Sequence, residues 1–253
     1  MSHDASPILQ VEGLTKYFGG LAAVKDVSFQ VPEGAIFGLI GPNGAGKTTL
    51  FNMVAGALRP TRGRILFRGR DVTGLRPFQA VRLGIVRTHQ IVRPFRSLTV
   101  WENVEVAVRF GRRPARNAAE ARARVAEVLE FVGLERVAGT PAAVLPIGQQ
   151  KLLELGRALA TGPDLLLCDE ICGGLTDAET QNVMELLRRI RAGGTTILYI
   201  EHDMRAVMSV CDRIMVLNFG QKLAEGSPAE IQRNPAVIEA YLGRSAVGVG
   251  TGA

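Results

Sequence analysis

Residues 41–48 have the sequence Gly41-Pro42-Asn43-Gly44-Ala45-Gly46-Lys47-Thr48, which matches the pattern G-x-x-x-x-G-K-[ST] at every fixed position. An apolar run at Ala35–Ile40 predicts a buried strand before this loop, and Thr48–Leu58 is predicted to be a helix after it. Glycines let the backbone bend so that successive N–H groups point at phosphate oxygens, and the helix adds its positive N-terminal end. Lys47 then reaches the β- and γ-phosphates, and the Thr48 hydroxyl ligates Mg²⁺. The stretch predicts a strand–loop–helix unit that binds ATP.

A second apolar run ends in two acids, in the sequence Leu165-Leu166-Leu167-Cys168-Asp169-Glu170. In a protein with such a loop, an acid at a strand end holds the water shell of Mg²⁺. A second carboxylate beside it can orient or deprotonate the attacking water. Taken alone, the pattern is equally typical of a strand that runs into a solvated acidic turn. Together with the loop, it predicts Asp169 at the metal and Glu170 as the general base.

The chain has 253 residues and a formal net charge of +6, which suits an anionic partner such as a nucleotide, a nucleic acid or a membrane surface. No run of 18 or more apolar residues predicts a membrane span, and Met1–Pro7 lacks the apolar core of a secretion signal. We therefore expect a cytoplasmic protein. Cys168 and Cys172 are four residues apart, but no His or Cys lies nearby to complete a zinc site. We therefore expect these two and Cys211 to be small apolar packing residues.

Strand and helix patterns alternate in two parts of the chain. Strands are predicted early in the chain at Ile8–Val11, Ala23–Val31, Gly63–Phe67 and Gly84–Arg87. The later part alternates between strands and helices at Leu165–Cys168, Ala178–Arg191, Thr195–Ile200, Met204–Cys211 and Ile214–Leu217. Between about residues 100 and 160 only helices are predicted, at Val100–Phe110 and Ala118–Phe131. The alternation predicts an α/β protein with a parallel sheet and a helical insert.

Five shorter motifs stand in a fixed order around the loop and the acids. They are Tyr17-Phe18-Gly19-Gly20, Gln90 after a short strand, Leu145–Lys151, Gly174–Asp177 and His202 after an apolar strand. Each motif alone is weak, because a packed aromatic residue, a surface glutamine or a helix cap would explain it. In this order and at this spacing, the chain resembles the nucleotide-binding subunit of an ABC transporter over roughly residues 8–243.

The resemblance implies a P-loop NTPase core with a mainly parallel sheet, an N-terminal antiparallel β subdomain and an α-helical subdomain insert. We expect one ATPase domain over residues 1–243 and a flexible tail over 244–253. Within the domain, the core is expected at about 8–90 and 160–243, and the helical subdomain at about 91–159.

The resemblance also assigns roles to individual residues. Those implied to contact ATP are Phe18 at the adenine, Gly41, Pro42, Asn43, Gly44, Ala45, Gly46, Lys47, Thr48, Thr49 and Gln90. The implied Mg²⁺ ligands are Thr48, Gln90 and Asp169. The implied catalytic residues are Lys47, Glu170 and His202.

The motif Leu145–Lys151 resembles the family signature, usually Leu-Ser-Gly-Gly-Gln, which covers the ATP of a partner subunit. Pro146 replaces the serine and Ile147 the first glycine, which removes a hydroxyl and an N–H. Gly148, Gln149 and the start of the following helix remain as backbone donors. We therefore expect two cassettes, either two copies or this chain with a paralogue, to enclose two ATP molecules head to tail.

The segment Arg93–Val104 resembles the part of the family that receives a coupling helix from a membrane permease. Within it, Thr99 and Glu102 have the spacing of a capping box. The implied partners are permease subunits, a second ATPase and, indirectly, a solute-binding protein, and we expect no nucleic acid. The implied location is the inner face of the cell membrane.

Several details resemble the ATP-binding subunits of bacterial branched-chain amino acid importers. They are Gly148-Gln149-Gln150, Glu201–Met204, Cys211–Ile214 and the ending Asn234–Gly243. Importers of urea, short amides or other small polar solutes share this pattern, and a lipopolysaccharide-export ATPase is similar in length and ending.

Two other classes of protein fit the sequence less well than a transport ATPase. A soluble ABC ATPase of DNA repair would insert a long coiled coil, but only about 97 residues separate Lys47 from Leu145, without sustained heptads. A small-molecule kinase would not explain Gly148-Gln149-Gln150 or His202. The sequence therefore favours the transport ATPase.

Overall fold

The computed structural model describes residues 7–88, 94–201 and 203–242. These residues form two compact units: the first holds the chain up to Arg76 and again from Leu198, and the second holds Pro77–Ile197. The predicted tail at residues 244–253 lies outside the described residues. Within the described ranges, no helix combines the length and the apolar character that a membrane crossing requires.

The chain up to Arg76 forms an antiparallel sheet, a buried strand and the helix after the glycine loop. Its elements are β1 (Pro7–Phe18), β2 (Leu21–Pro32), β3 (Ile36–Ile40), α1 (Lys47–Val54), β4 (Arg62–Phe67) and β5 (Arg70–Asp71). Four of them pair in the order β2-β1-β4-β5. The prediction that the first strand ends at Val11 is wrong. Gly13 adopts a φ of 56° and the pairing register shifts there, so β1 continues past the bulge to Phe18.

The second unit is mainly helical. Its elements are α2 (Pro77–Leu83), β6 (Ile85–Arg87), α3 (Val100–Phe110), α4 (Ala118–Val132), α5 (Ile147–Ala160), β7 (Leu165–Asp169) and α6 (Asp177–Ala192). The strands β6 and β7 pair in parallel. Helices α3, α4 and α5 share one hydrophobic cluster, in which Val104, Val125 and Leu153 are almost fully buried. The predicted capping box is confirmed, because Thr99 and Glu102 bond reciprocally at the start of α3.

Strand β8 (Thr196–Ile200) leads the chain into the first unit again. There follow α7 (Met204–Val210), β9 (Arg213–Asn218), β10 (Gln221–Gly226), α8 (Pro228–Arg233) and α9 (Pro235–Leu242). Strand β3 lies between β8 and β9 in the sheet order and is parallel to β9, while β10 pairs antiparallel with β9. All five residues of β3 are buried, so the loop that follows starts from a fixed core strand.

The parallel strands and the separate antiparallel sheet confirm the predicted fold class. The predicted helix Thr48–Leu58 is too long, because Gly56 adopts a φ of 74° and a side chain there would collide with the carbonyl oxygen of Leu75. The sequence interpretation also missed β10, α2, α8 and α9. The domain boundaries expected near residues 91 and 159 stay predictions.

Candidate nucleotide-binding site

The glycine loop joins β3 to α1, and two of its glycines lie directly against other backbone. Gly46 is the N-cap of α1 with a φ of 98°, and a Cβ there would collide with the carbonyl oxygen of Ala23 on β2. A Cβ on Gly41 would collide with the carbonyl oxygen of Leu217 on β9. Only glycine fits both positions, so the path of the loop between β2 and β9 is fixed.

Lys47 is the first residue of α1, and it is only 5% exposed. Its ammonium donates hydrogen bonds to the carbonyl oxygens of Gly41 at 2.6 Å and Pro42 at 3.0 Å. The N-terminus of α1 receives no hydrogen bond from the side chain of its N-cap, Gly46. Thr48 is exposed and Thr49 is half-buried in the same turn. A nearly buried cation beside uncapped helix N–H groups is the chemistry of a polyphosphate site.

Elements from the C-terminal part of the first unit hold the outer side of the loop. The N–H of Gly220, in the turn between β9 and β10, donates to the carbonyl oxygen of Ala45 at 3.0 Å. Helix α9 places the Tyr241 hydroxyl at the backbone N–H of Gly41. Burial raises the pKa of Tyr241 to about 12, and the hydrogen bond from Gly41 acts against that shift. The C-terminal helix therefore contacts the loop that the sequence predicts to hold ATP.

Replacing Gly46 with alanine should both unfold the loop and abolish nucleotide binding. The collision with Ala23 and the strain at positive φ together cost about 2–5 kcal/mol of the free energy of unfolding. Gly69 is the matched control, because its φ is 74° and a Cβ there would meet no atom within 4 Å. Gly69→Ala should cost only about 1–2 kcal/mol. Denaturant unfolding and ATP binding measure both variants, and equal losses in the two would contradict the packing argument.

The two acids that end β7 have different surroundings in the second unit. Asp169 is fully buried, and its Oδ2 accepts a hydrogen bond from Arg87 Nη2 at 2.6 Å. Glu170 is half-buried and has a φ of 47°, a left-handed conformation that residues other than glycine rarely adopt. Its carbonyl oxygen accepts a hydrogen bond from Lys151 Nζ of α5 at 3.0 Å. Such backbone strain concentrates at functional sites, which supports the predicted role of Glu170.

The described residues fit a magnesium ion that is held largely by phosphate and water. Asp169 Oδ1 is buried and has no hydrogen-bond partner among the described residues, so it is an oxygen available to a metal-bound water. No group of three or more His, Cys, Asp or Glu side chains in the described ranges could form a metal cage. Magnesium is typically bound by one or two carboxylates and substrate phosphates, which matches this arrangement.

The signature motif begins helix α5. Pro146 is its N-cap and supplies no side-chain hydrogen bond, so the N–H groups of the first turn have no cap. Gly148 is buried in that turn, and a Cβ there would collide with the Glu179 carboxylate of α6. Gln149 is half-buried, and Gln150 Nε2 donates to the carbonyl oxygen of Leu145 at 2.7 Å. The motif therefore combines a free helix start with close packing on the first turn of α6.

The motif Gly174–Asp177, which we call the D-loop, leads into α6, and Thr176 is the N-cap of that helix. Thr176 and Glu179 form a reciprocal capping box. The backbone and hydroxyl of Thr176 both donate to Glu179 and hold the pKa of its carboxyl below the ordinary value. Gly148 thus gives room to the same carboxylate that caps the helix after the D-loop. The signature and the D-loop are one packed structure within the second unit.

A Gly148→Ala variant should lose about 1 kcal/mol of stability, because the new methyl group displaces Glu179 from its cap. Gly156 lies in the same helix, and a Cβ there would approach other atoms no closer than 3.4 Å. Gly156→Ala should therefore be neutral or stabilising by up to about 1 kcal/mol. Denaturant unfolding measures the stability of both variants and should show a loss in Gly148→Ala only. In a Glu179→Ala background, the cost of Gly148→Ala should disappear, and a cost that persists would contradict the proposed clash.

The remaining predicted residues are placed as follows. Tyr17 and Phe18 end β1 and are 40% and 50% exposed, so they are not core residues. Lys16 Nζ lies 5.4 Å from the Phe18 ring centre.

Gln90 and His202 lie outside the described residues. The three cysteines are buried and form no disulfide, as expected for small packing residues. Sequence reasoning missed Arg87, Glu179 and Tyr241. The only sequence signal among them was the spacing of Thr176 and Glu179, which is that of a capping box.

Three features define the class of this protein as a P-loop nucleotide-binding ATPase. They are the glycine loop, the strand β7 that ends in two acids, and the helix start without a side-chain cap near Gly148. The sequence model of the family described as "ABC transporter" matches residues 24–173, and that of the "Branched-chain amino acid ATP-binding cassette transporter" matches residues 221–247. The chain belongs to the ABC transporter family of ATP-binding cassettes, which bind and hydrolyse ATP.

Individual relatives are similar over almost the whole length. The chain is 46% identical to the high-affinity branched-chain amino acid transport ATP-binding protein LivG of Salmonella typhimurium, over 95% of this chain and 100% of LivG. A solved ATP-binding cassette of an ABC transporter in its ADP conformation is 32% identical with a TM-score of 0.84, covering 94% of this chain and all of that one. A dimeric cassette bound to ADP and Pi is 28% identical with a TM-score of 0.79, covering 87% and 98%.

Proposed function

We propose that this chain is the ATPase subunit of an importer that takes up branched-chain amino acids or similar small polar solutes through a membrane permease. The observation that carries this proposal is the second family match, at residues 221–247. That match covers β10, α8 and α9 and is separate from the general cassette match. It favours the branched-chain amino acid group over lipopolysaccharide export, and the full-length similarity to LivG supports the same choice.

ATP binds with Mg²⁺ in this proposal. Phe18, exposed at the end of β1, stacks on the adenine, and the loop Gly41–Thr48 with Thr49 and Lys47 holds the phosphates. Thr48, Gln90 and Asp169 would hold Mg²⁺ directly or through water. The buried Oδ1 of Asp169, which has no hydrogen-bond partner among the described residues, supports that role. When bound, Mg²⁺ would supply positive charge that neutralises the charge developing on the phosphates during hydrolysis.

A second cassette completes each site. The N–H groups of Gly148 and Gln149 lie at an uncapped helix start, which is suited to the γ-phosphate of an ATP bound to a partner. The partner is a paralogous ATPase or a second copy, and we favour the paralogue. The solved dimeric cassette bound to ADP and Pi supports pairing of this kind.

Hydrolysis requires a base at the end of β7. Glu170 accepts the proton of the attacking water, and His202 positions that water at the γ-phosphate. The strained φ of 47° and the hydrogen bond from Lys151 fix the backbone of Glu170, so its side chain starts from one defined position.

The permease engages the segment that leads into α3. Asn103 bonds both the N–H and the carbonyl oxygen of Phe95, and the Arg157 guanidinium lies 4.8 Å from the Phe95 ring centre. Phe95 nevertheless remains 45% exposed, so a fixed aromatic surface is presented to a partner. Binding there places the chain peripherally on the inner face of the membrane, and a solute-binding protein acts through the permease.

The test is to purify the chain from native membranes, identify what accompanies it, and measure ATP turnover and leucine uptake in vesicles. Glu170→Gln should lower turnover by about 10²–10⁴-fold and abolish uptake, because the amide cannot accept the proton. Glu185→Gln is the control, since Glu185 is an exposed residue of α6 that forms an ion pair with the nearby Arg188 at 3.2 Å.

Two results would contradict the proposal. Turnover of Glu170→Gln near the parent rate would show that Glu170 is not the base. ATPase activity that DNA stimulates, in a preparation without any multi-spanning permease, would exclude the transport role.

A further inference from the structure

Arg87 is the last residue of β6 and lies beside the buried end of β7. The strands pair in parallel, with Arg87 opposite Leu167. From there its Nη2 reaches Asp169 Oδ2 at 2.6 Å. The side chains are 16% and 1% exposed, so the carboxylate is removed from solvent and the guanidinium supplies its countercharge.

The next residue, Thr88, fixes the backbone of the same aspartate. Its N–H donates to the carbonyl oxygen of Leu167 at 2.9 Å, and its Oγ1 accepts from the Asp169 N–H at 3.3 Å. Thr88 is fully buried. The end of β6 therefore determines both the main-chain position of Asp169 and the orientation of its carboxylate.

The two oxygens of Asp169 have different environments as a result. Oδ2 is bound to Arg87, whereas Oδ1 is buried without a hydrogen-bond partner among the described residues. A buried oxygen without a partner is costly, and a metal-bound water would satisfy it. The ion pair thus leaves one defined oxygen of the carboxylate for the metal.

We propose that Arg87 positions the Asp169 carboxylate for Mg²⁺ binding. The Arg87 guanidinium binds Asp169 Oδ2 and thereby presents Oδ1 to the metal-bound water. This inference rests on the proposed role of Asp169 at Mg·ATP. Arg87 touches neither metal nor nucleotide in this account. It acts through the orientation of the carboxylate, because a guanidinium donates from a rigid planar fork that a flexible ammonium cannot reproduce.

The decisive variant is Arg87→Lys, since it keeps the charge beside Asp169 and removes only the fixed geometry. Because lysine is also positively charged, any repulsion between the side chain at position 87 and Mg²⁺ is the same in the variant as in the parent. The matched control is Arg112→Lys, which makes the same change in another ion pair of the second unit, Arg112 Nη1 to Asp164 Oδ1 at 2.6 Å. The side chains of that pair are 22% and 16% exposed, and neither residue belongs to the proposed site.

The experiment measures equilibrium binding of a fluorescent ATP analogue at increasing Mg²⁺, together with ATP turnover and thermal unfolding. Arg87→Lys should raise the half-saturating Mg²⁺ concentration about ten- to hundredfold, as expected when the outer partner of a metal ligand is lost. Binding of the analogue without Mg²⁺ should be unchanged. Arg112→Lys should leave the Mg²⁺ dependence at the parent value.

An unchanged Mg²⁺ dependence in Arg87→Lys would overturn the inference. So would a fall in melting temperature larger than that of Arg112→Lys, because it would assign Arg87 a structural role. A wrong proposed function would give a different result from a wrong role for Arg87, because the parent chain itself would then show no Mg²⁺-dependent ATP turnover.

Discussion

The close approach of backbone to backbone at the glycine loop is the constraint on which the first unit depends. Gly46 lies against the Ala23 carbonyl of β2, and Gly41 lies against the Leu217 carbonyl of β9. These contacts leave no room for side chains, so the loop is held between two strands that are far apart in the sequence. With the loop fixed there, Lys47 can fold across it and α1 can begin at the same residue. The conformation of the predicted phosphate site is therefore determined by tertiary packing as well as by the motif itself.

In the second unit, a comparable set of contacts joins the residues that we propose to act in hydrolysis with those that we propose to cover the ATP of a partner. Lys151 of the signature helix binds the carbonyl oxygen of Glu170, and Gly148 of the same helix accommodates Glu179. Arg87 and Thr88 hold Asp169 from the other strand. The signature helix is thus in direct contact with the backbone of Glu170. Pro146 removes one side-chain cap from α5 without removing the helix, so the backbone donors at its start remain.

The sequence correctly predicted elements that depend on local patterns of residues. It did not predict features that depend on contacts between residues far apart in the chain. The loop, the strand Leu165–Cys168 and the helix Val100–Phe110 were predicted closely, because periodicity and caps are local signals. The extension of β1 was not, since it depends on a bulge at Gly13 and on pairing with β2 and β4. Helix α8 was missed although Ser227, Pro228 and Glu230 carry a capping box with proline at its start.

The site residues that the sequence did not predict are those held by contacts between residues far apart in the chain. Nothing in the spacing of Arg87 and Asp169, 82 residues apart, indicates their ion pair, and nothing near Tyr241 indicates its hydrogen bond to Gly41. Gly148 could be assigned to the signature from its motif, but its packing on Glu179 required the structure. The motif residues were therefore predictable, and the residues that hold them in place were not.

The most direct test of the central claim is the affinity of the purified chain for ATP, compared with that of Lys47→Ala. Removing the ammonium deletes charge-assisted hydrogen bonds worth about 1.5–3 kcal/mol, so the affinity should fall roughly ten- to hundredfold. Calorimetric titration measures it, with one nucleotide expected per parent chain. Equal affinities in the two proteins would contradict the account, because the phosphates would then not lie at the Gly41–Thr48 loop.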